Sequence, residues 1–132
     1  MKTITVFGAS NPSEQEWEDA EYLGRKISMK GYTLKNGGYG GIMEASAKGC
    51  VQTGGEVIGV CIEGNVGEWG IPNQYSTEII FVPTINKRIE ELLRTDAVIT
   101  LPGSLGTLDE LTSAWACKHI EDRYQIYIWR EK

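Results

Sequence analysis

The stretch "DAVITLPGSLGTLDE" (96–110) opens as an apolar run, turns on Pro102, Gly103, Ser104 and Gly106, and then sets two acids where a helix should begin. An apolar run without polar alternation suits a strand covered on both faces, as in a parallel sheet. A glycine-rich turn between such a strand and a helix is either a tight corner or a cradle for an anion. Glycine lets the backbone approach closely, and a helix N-terminus offers unpaired N–H groups and a partial positive charge. Thr107 and Glu110 also have capping-box spacing, so Glu110 is read either as a cap or as a working carboxylate.

Working outward, strands and helices alternate. "TITVFG" (3–8), "YTLKN" (32–36), "EVIGVCI" (56–62), "TEIIFVP" (77–83), "DAVITL" (96–101) and "QIYIW" (125–129) read as strands. Helices are expected over 14–30, where Trp17, Ala20, Leu23 and Ile27 recur at helical spacing, and over 42–54, 86–95 and 106–119. Ser13 and Glu16 form a capping box before the first helix, and Gly31 stops it. Residues 63–76 show no periodicity and read as a long loop. This alternation predicts an α/β, doubly wound and mostly parallel sheet, with helices on both faces and one domain over 1–132.

In such a sheet, ligands sit outside the carboxyl ends of the strands, near the switch in strand order. Three turns fall there: "GASNPS" (8–13), "NGGYGG" (36–41) and "PGSLGT" (102–107). Gly8, Ser10, Gly37, Gly38, Gly41, Met43, Gly103, Ser104, Gly106 and Thr107 are the candidate substrate- and phosphate-binding residues. None of the turns is a P-loop, because no Gly-Lys-Ser/Thr follows. Arg88 is a candidate site cation or a solvated charge on an amphipathic helix. Glu78 is a candidate acid or an exposed strand-end residue. His119, the one histidine, fits a favourable contact at a helix C-terminus. No His-based triad and no metal-ligand cluster stand out, so no metal and no cofactor are expected.

With 132 residues, 41% of them hydrophobic and 23% charged, the chain is of globular type. A formal net charge of −5 disfavours nucleic acid as a partner. Cys50, Cys61 and Cys117 are odd in number and form no CxxC pair, so buried, reduced thiols in a cytoplasmic protein are expected. The N-terminal stretch does not read as a signal peptide, and no apolar run approaches the ~20 residues that span a bilayer.

The motifs resemble a known family. "PGSLGTLDE" (102–110) is similar to the PGGxGTxxE motif of the LOG ("Lonely guy") proteins, long described as lysine decarboxylases. "GGYGGIM" (37–43) is similar to their GGxxGxM loop, "ITVFGAS" (4–10) to their first strand and turn, and "GGEVIGV" (54–60) to a further stretch. The resemblance runs from about residue 3 to residue 116. It implies a single Rossmann-like nucleotide-binding domain that forms a homodimer, binds a nucleoside 5′-monophosphate such as AMP and hydrolyses the N-glycosidic bond to free base and ribose 5-phosphate. Arg88 and Glu110 fall on the family's catalytic Arg and Glu, and Glu78 falls on an acid that contacts the nucleotide. Gly103, Gly106 and Thr107 would hold the phosphate.

Three departures matter. Ser104 replaces the second glycine of PGG, Ile89 rather than lysine follows Arg88, and the family's terminal helix is expected to be missing. A related branch resembles molybdenum-cofactor carrier proteins, which share the fold and bind without hydrolysing; a carrier is therefore the alternative function. Trp115, Leu92 and Leu93 are the candidate dimer-interface residues, the other possibility being burial in the monomer.

Overall fold

A computed structural model of the protein describes residues 2–64, 71–101 and 125–128. Strands β1 (Thr3–Phe7), β2 (Thr33–Asn36), β3 (Val57–Ile62), β4 (Glu78–Val82), β5 (Ala97–Thr100) and β6 (Gln125–Ile128) alternate with helices α1 (Glu14–Met29), α2 (Ile42–Gln52) and α3 (Ile85–Leu92). The sheet order is β4-β3-β2-β1-β5-β6. The pairings that join these strands are all parallel. The expected helix 106–119, with Trp115, Cys117 and His119, lies outside the described residues.

The order places the switch point between β1 and β5, since the chain walks outward from β1 to β4 and then returns to the other side of β1. The register Phe7↔Thr100 aligns the carboxyl ends of these two strands. Turns leaving those ends therefore frame the crevice where open α/β sheets take their ligands.

Local signals explain the helices. Ser13 Oγ accepts from the Glu16 N–H at 3.2 Å, and Glu16 Oε1 accepts from the Ser13 N–H at 2.8 Å, which completes the expected capping box. Helix α3 starts one residue earlier than its apolar spacing suggests, because Thr84 caps it through Oγ1, which accepts from the Lys87 N–H at 3.1 Å. It ends at Leu92, short of residue 95, with Leu93 as its C-cap.

Two cores lie on opposite faces of the sheet. Val6, Leu34 and Val57 point to one face, against Ala20, Leu23 and Ile27 of α1 and Ile42, Ala45 and Cys50 of α2. Phe7, Val60, Val82 and Val98 point to the other, against Leu92 and Leu93 at the end of α3. Leu92 and Leu93 are thus buried within the monomer, which corrects their candidacy for a dimer interface: α3 turns its apolar stripe onto the sheet. Cys50 and Cys61 are free and buried.

Candidate active site

Strand β2 ends at Asn36, and this residue builds the turn that follows. Its amide nitrogen donates to the Met43 carbonyl at 2.8 Å and to Ser46 Oγ at 3.1 Å. Its Oδ1 accepts from the Gly38 N–H at 2.9 Å. One buried side chain thereby ties the loop 37–41 to the first turns of α2. Gly38 and Gly41 have φ of 78° and 70°, a region that side chains with a Cβ rarely adopt. At Gly41 a Cβ would stand 2.5 Å from both the Ala9 and Ser10 carbonyls. The turn after β1 is seated on the start of α2 in the same way: the Ile42 N–H donates to the Ala9 carbonyl at 3.0 Å. Gly8, Ser10, Gly37, Gly38, Gly41 and Met43 therefore come together, as their positions after β1 and β2 suggest.

Arg88 joins this cluster from the opposite face. It is only 7% exposed, so it is not a solvated helix charge. Nε donates to the Val60 carbonyl at 2.9 Å, and Nη2 donates to the Gly37 carbonyl at 3.1 Å. Nη2 also lies 3.6 Å from Met43 Sδ. The guanidinium sits over the Tyr39 ring, 5.4 Å from its centroid. A Cβ at Gly37 would collide with Arg88 Nη2 and Met43 Sδ, so a side chain there would displace both. The arrangement fixes a buried cation beside the carboxyl ends of β2 and β3.

The phenol of Tyr39 is anchored in turn. Its hydroxyl accepts from the Ile62 N–H at 2.9 Å, and its carbonyl accepts from Asn73 Nδ2 at 2.8 Å. Burial pushes its pKa above the ordinary value for tyrosine. Burial likewise raises the Cys61 thiol, which lies beneath Gly38.

Glu78 pairs with Ile58 of β3, two residues before Val60. It is exposed and opens β4, whose carboxyl end at Val82 leads into α3. Gly103, Ser104, Gly106, Thr107 and Glu110 lie outside the described residues. Thr100, the last residue of β5, is buried and leads into that stretch; its hydroxyl makes no hydrogen bond among the described residues. Among those residues no group of three His, Cys, Asp or Glu could hold a metal ion. No helix among them is long and apolar enough to cross a membrane.

Asn36 and Tyr39 have no local signature of their roles. Both partner groups distant along the chain or on another element, and only the glycines around them mark the turn.

A model of the SLOG cluster4 family matches residues 1–120. The chain belongs to this family. The SLOG cluster4 chain is 35% identical over 116 residues to a cytokinin riboside 5′-monophosphate phosphoribohydrolase of Mycobacterium tuberculosis, covering 86% of this chain and 62% of the relative. It is 33% identical over 115 residues to an uncharacterized protein of Archaeoglobus fulgidus, covering 86% of this chain and 74% of the relative. Its fold matches the molybdenum cofactor binding protein of Rippkaea orientalis with a TM-score of 0.80 at 22% identity, over 98% of this chain and 90% of that one. The likeness to LOG-type phosphoribohydrolases is thus one of sequence, and the likeness to the molybdenum-cofactor protein is one of fold. The SLOG cluster4 chain spans about three fifths of its mycobacterial relative.

Proposed function

We propose that the protein hydrolyses the N-glycosidic bond of a nucleoside 5′-monophosphate, AMP being the first to try. The observation that carries this is Arg88: a buried cation, held by two backbone carbonyls at the mouth of a glycine turn, in a chain whose relatives include a phosphoribohydrolase. A hydrophobic-core role would not need a guanidinium there, and an exposed helix charge would not be buried.

In this reaction the oxygen of water bonds to the anomeric carbon and the C–N bond breaks. Its electron pair goes to the base nitrogen, which leaves with a proton. The transition state resembles an oxocarbenium ion, so a carboxylate beside the anomeric carbon stabilises it and accepts the proton of the attacking water. Glu110 takes that part. Gly103, Ser104, Gly106 and Thr107 hold the phosphate, a remote handle whose binding orients the sugar. Arg88 supplies fixed positive charge for an anionic substrate. The acting unit is a homodimer.

The test uses the parent and Glu110→Gln, incubated with a panel of purine and pyrimidine monophosphates. The parent is expected to release free base and ribose 5-phosphate. The variant keeps the capping-box pattern but loses the charge, and should turn over at least ~100-fold more slowly. Nucleotide bound by the parent and recovered intact after hours would reject hydrolysis in favour of the carrier. Light scattering giving one chain mass at micromolar concentration would reject the dimer.

A further inference from the structure

Resting on the phosphoribohydrolase reading, we propose that Tyr39 is a positioning residue that sets the plane of the Arg88 guanidinium. An arginine on a short helix has a long, flexible stem, and its rotamer freedom opposes a single orientation. The bonds from Nε to the Val60 carbonyl and from Nη2 to the Gly37 carbonyl fix the group along one edge. Bonds in the plane of a guanidinium leave it free to tilt about that edge. The Tyr39 ring blocks the tilt, lying under the cation at 5.4 Å, within the ~6 Å range of a cation–π contact.

The ring is itself held so that it can do this. Tyr39 is buried, and its hydroxyl accepts from the N–H of Ile62, the last residue of β3. The Asn73 side chain donates to its carbonyl, and the Asn73 N–H donates to the Gly38 carbonyl at 2.8 Å. Ring, loop and strand form one unit, and the cation rests on it. With its pKa raised by burial, the phenol stays neutral through the pH range in which the protein would work.

Three variants test the assignment: Tyr39→Phe, Tyr39→Leu, and a chain with trifluorophenylalanine at position 39. Phenylalanine keeps the ring face. Leucine removes it. The fluorinated ring keeps the shape but withdraws charge from the face, so it remains informative if leucine fails to fold. Two quantities are read: the Arg88 Nε–H resonance by NMR, and kcat and KM on the monophosphate that the parent cleaves best.

Tyr39→Phe, which keeps the ring face but loses the bond from the Ile62 N–H, should move both readouts less than the leucine and fluorinated variants do. The leucine and fluorinated variants should shift the Arg88 resonance and lower kcat about 3- to 30-fold, the span of a cation–π contact, with a smaller change in KM. An unmoved Arg88 resonance, or an unchanged kcat, in both ring-weakened variants overturns the assignment. A parent that cleaves no monophosphate overturns the proposed function instead, and the NMR arm then decides by itself whether Tyr39 fixes Arg88.

Discussion

The two faces of the sheet are covered by different means. On the face of α1 and α2 the contact is close and apolar. The helices touch through glycine: a Cβ at Gly49 would collide with the Glu21 carbonyl, and one at Gly24 with the Ser46 carbonyl. On the α3 face, charge is buried. Arg88 reaches the loop after β2, and Lys35 of β2, only 4% exposed, donates to Glu91 Oε1 at 3.2 Å and to the Arg94 carbonyl at 3.1 Å. Burying a charge is costly unless partners replace its water, and an ion pair in such a place seldom outperforms apolar packing. The difference teaches that the first face is closed mainly by apolar contact, while the second combines an apolar core with buried charges that packing by itself does not require.

Gly49→Val should produce the largest loss of stability, because backbone and not a flexible side chain stands in the way. Overpacking of this kind costs about 3 kcal/mol at its upper end, lowering the melting temperature by roughly 10 °C in a domain of this size. The folded fraction should keep its turnover per molecule. Thermal unfolding and an assay below the transition check both; normal melting would mean that the helices can separate cheaply.

Gly37→Ala attacks the other face, where the obstacle is the end of the Arg88 side chain. Stability should fall by only about 1 kcal/mol, since that end can move. Turnover should fall at least ~10-fold, as displacing a positioned catalytic group does. Equal losses in stability and turnover, or no loss of turnover, would erase the distinction between the faces.

Lys35→Met should do least. Removing one member of a buried pair is costly when the other is left alone, but Glu91 keeps its ion pair with Arg94 and is partly in solvent, so a loss of about 1 kcal/mol is expected. Urea unfolding measures it. A loss of 3 kcal/mol or more would make Lys35 a structural requirement, and buried charge would no longer separate the two faces.

These outcomes bear on how much was legible in the sequence. The strands are legible because each apolar run is punctuated by glycine or by a helix-forming stretch. The Ser13–Glu16 box is legible because both partners are local. The glycine turns mark the carboxyl ends of β1 and β2 for the same reason. Arg88 carries a family resemblance, but its burial does not show in "NKRIEELL" (86–93), where it reads equally as a solvated charge. Its partners Gly37 and Val60 are distant in the chain and meet it only through the sheet order. Asn36 and Tyr39 escape notice for a similar reason: one closes a strand and the other sits among glycines, and neither position announces a partner. Leu92 and Leu93 show the converse. Apolar residues at the end of an amphipathic helix do not reveal whether they meet their own sheet or a second chain, and here they meet their own sheet.

The most direct test of the central claim, that the α3 face holds a working cation, is kcat for Arg88→Lys. Lysine keeps the charge but cannot reproduce a planar fork bonded to the Val60 and Gly37 carbonyls while lying over Tyr39. If Arg88 works through its fixed geometry, kcat on the best monophosphate should fall about 100-fold, comparable to the removal of one preorganised donor from an active site. A lysine variant that turns over as fast as the parent would contradict the claim and leave Arg88 as a packing residue.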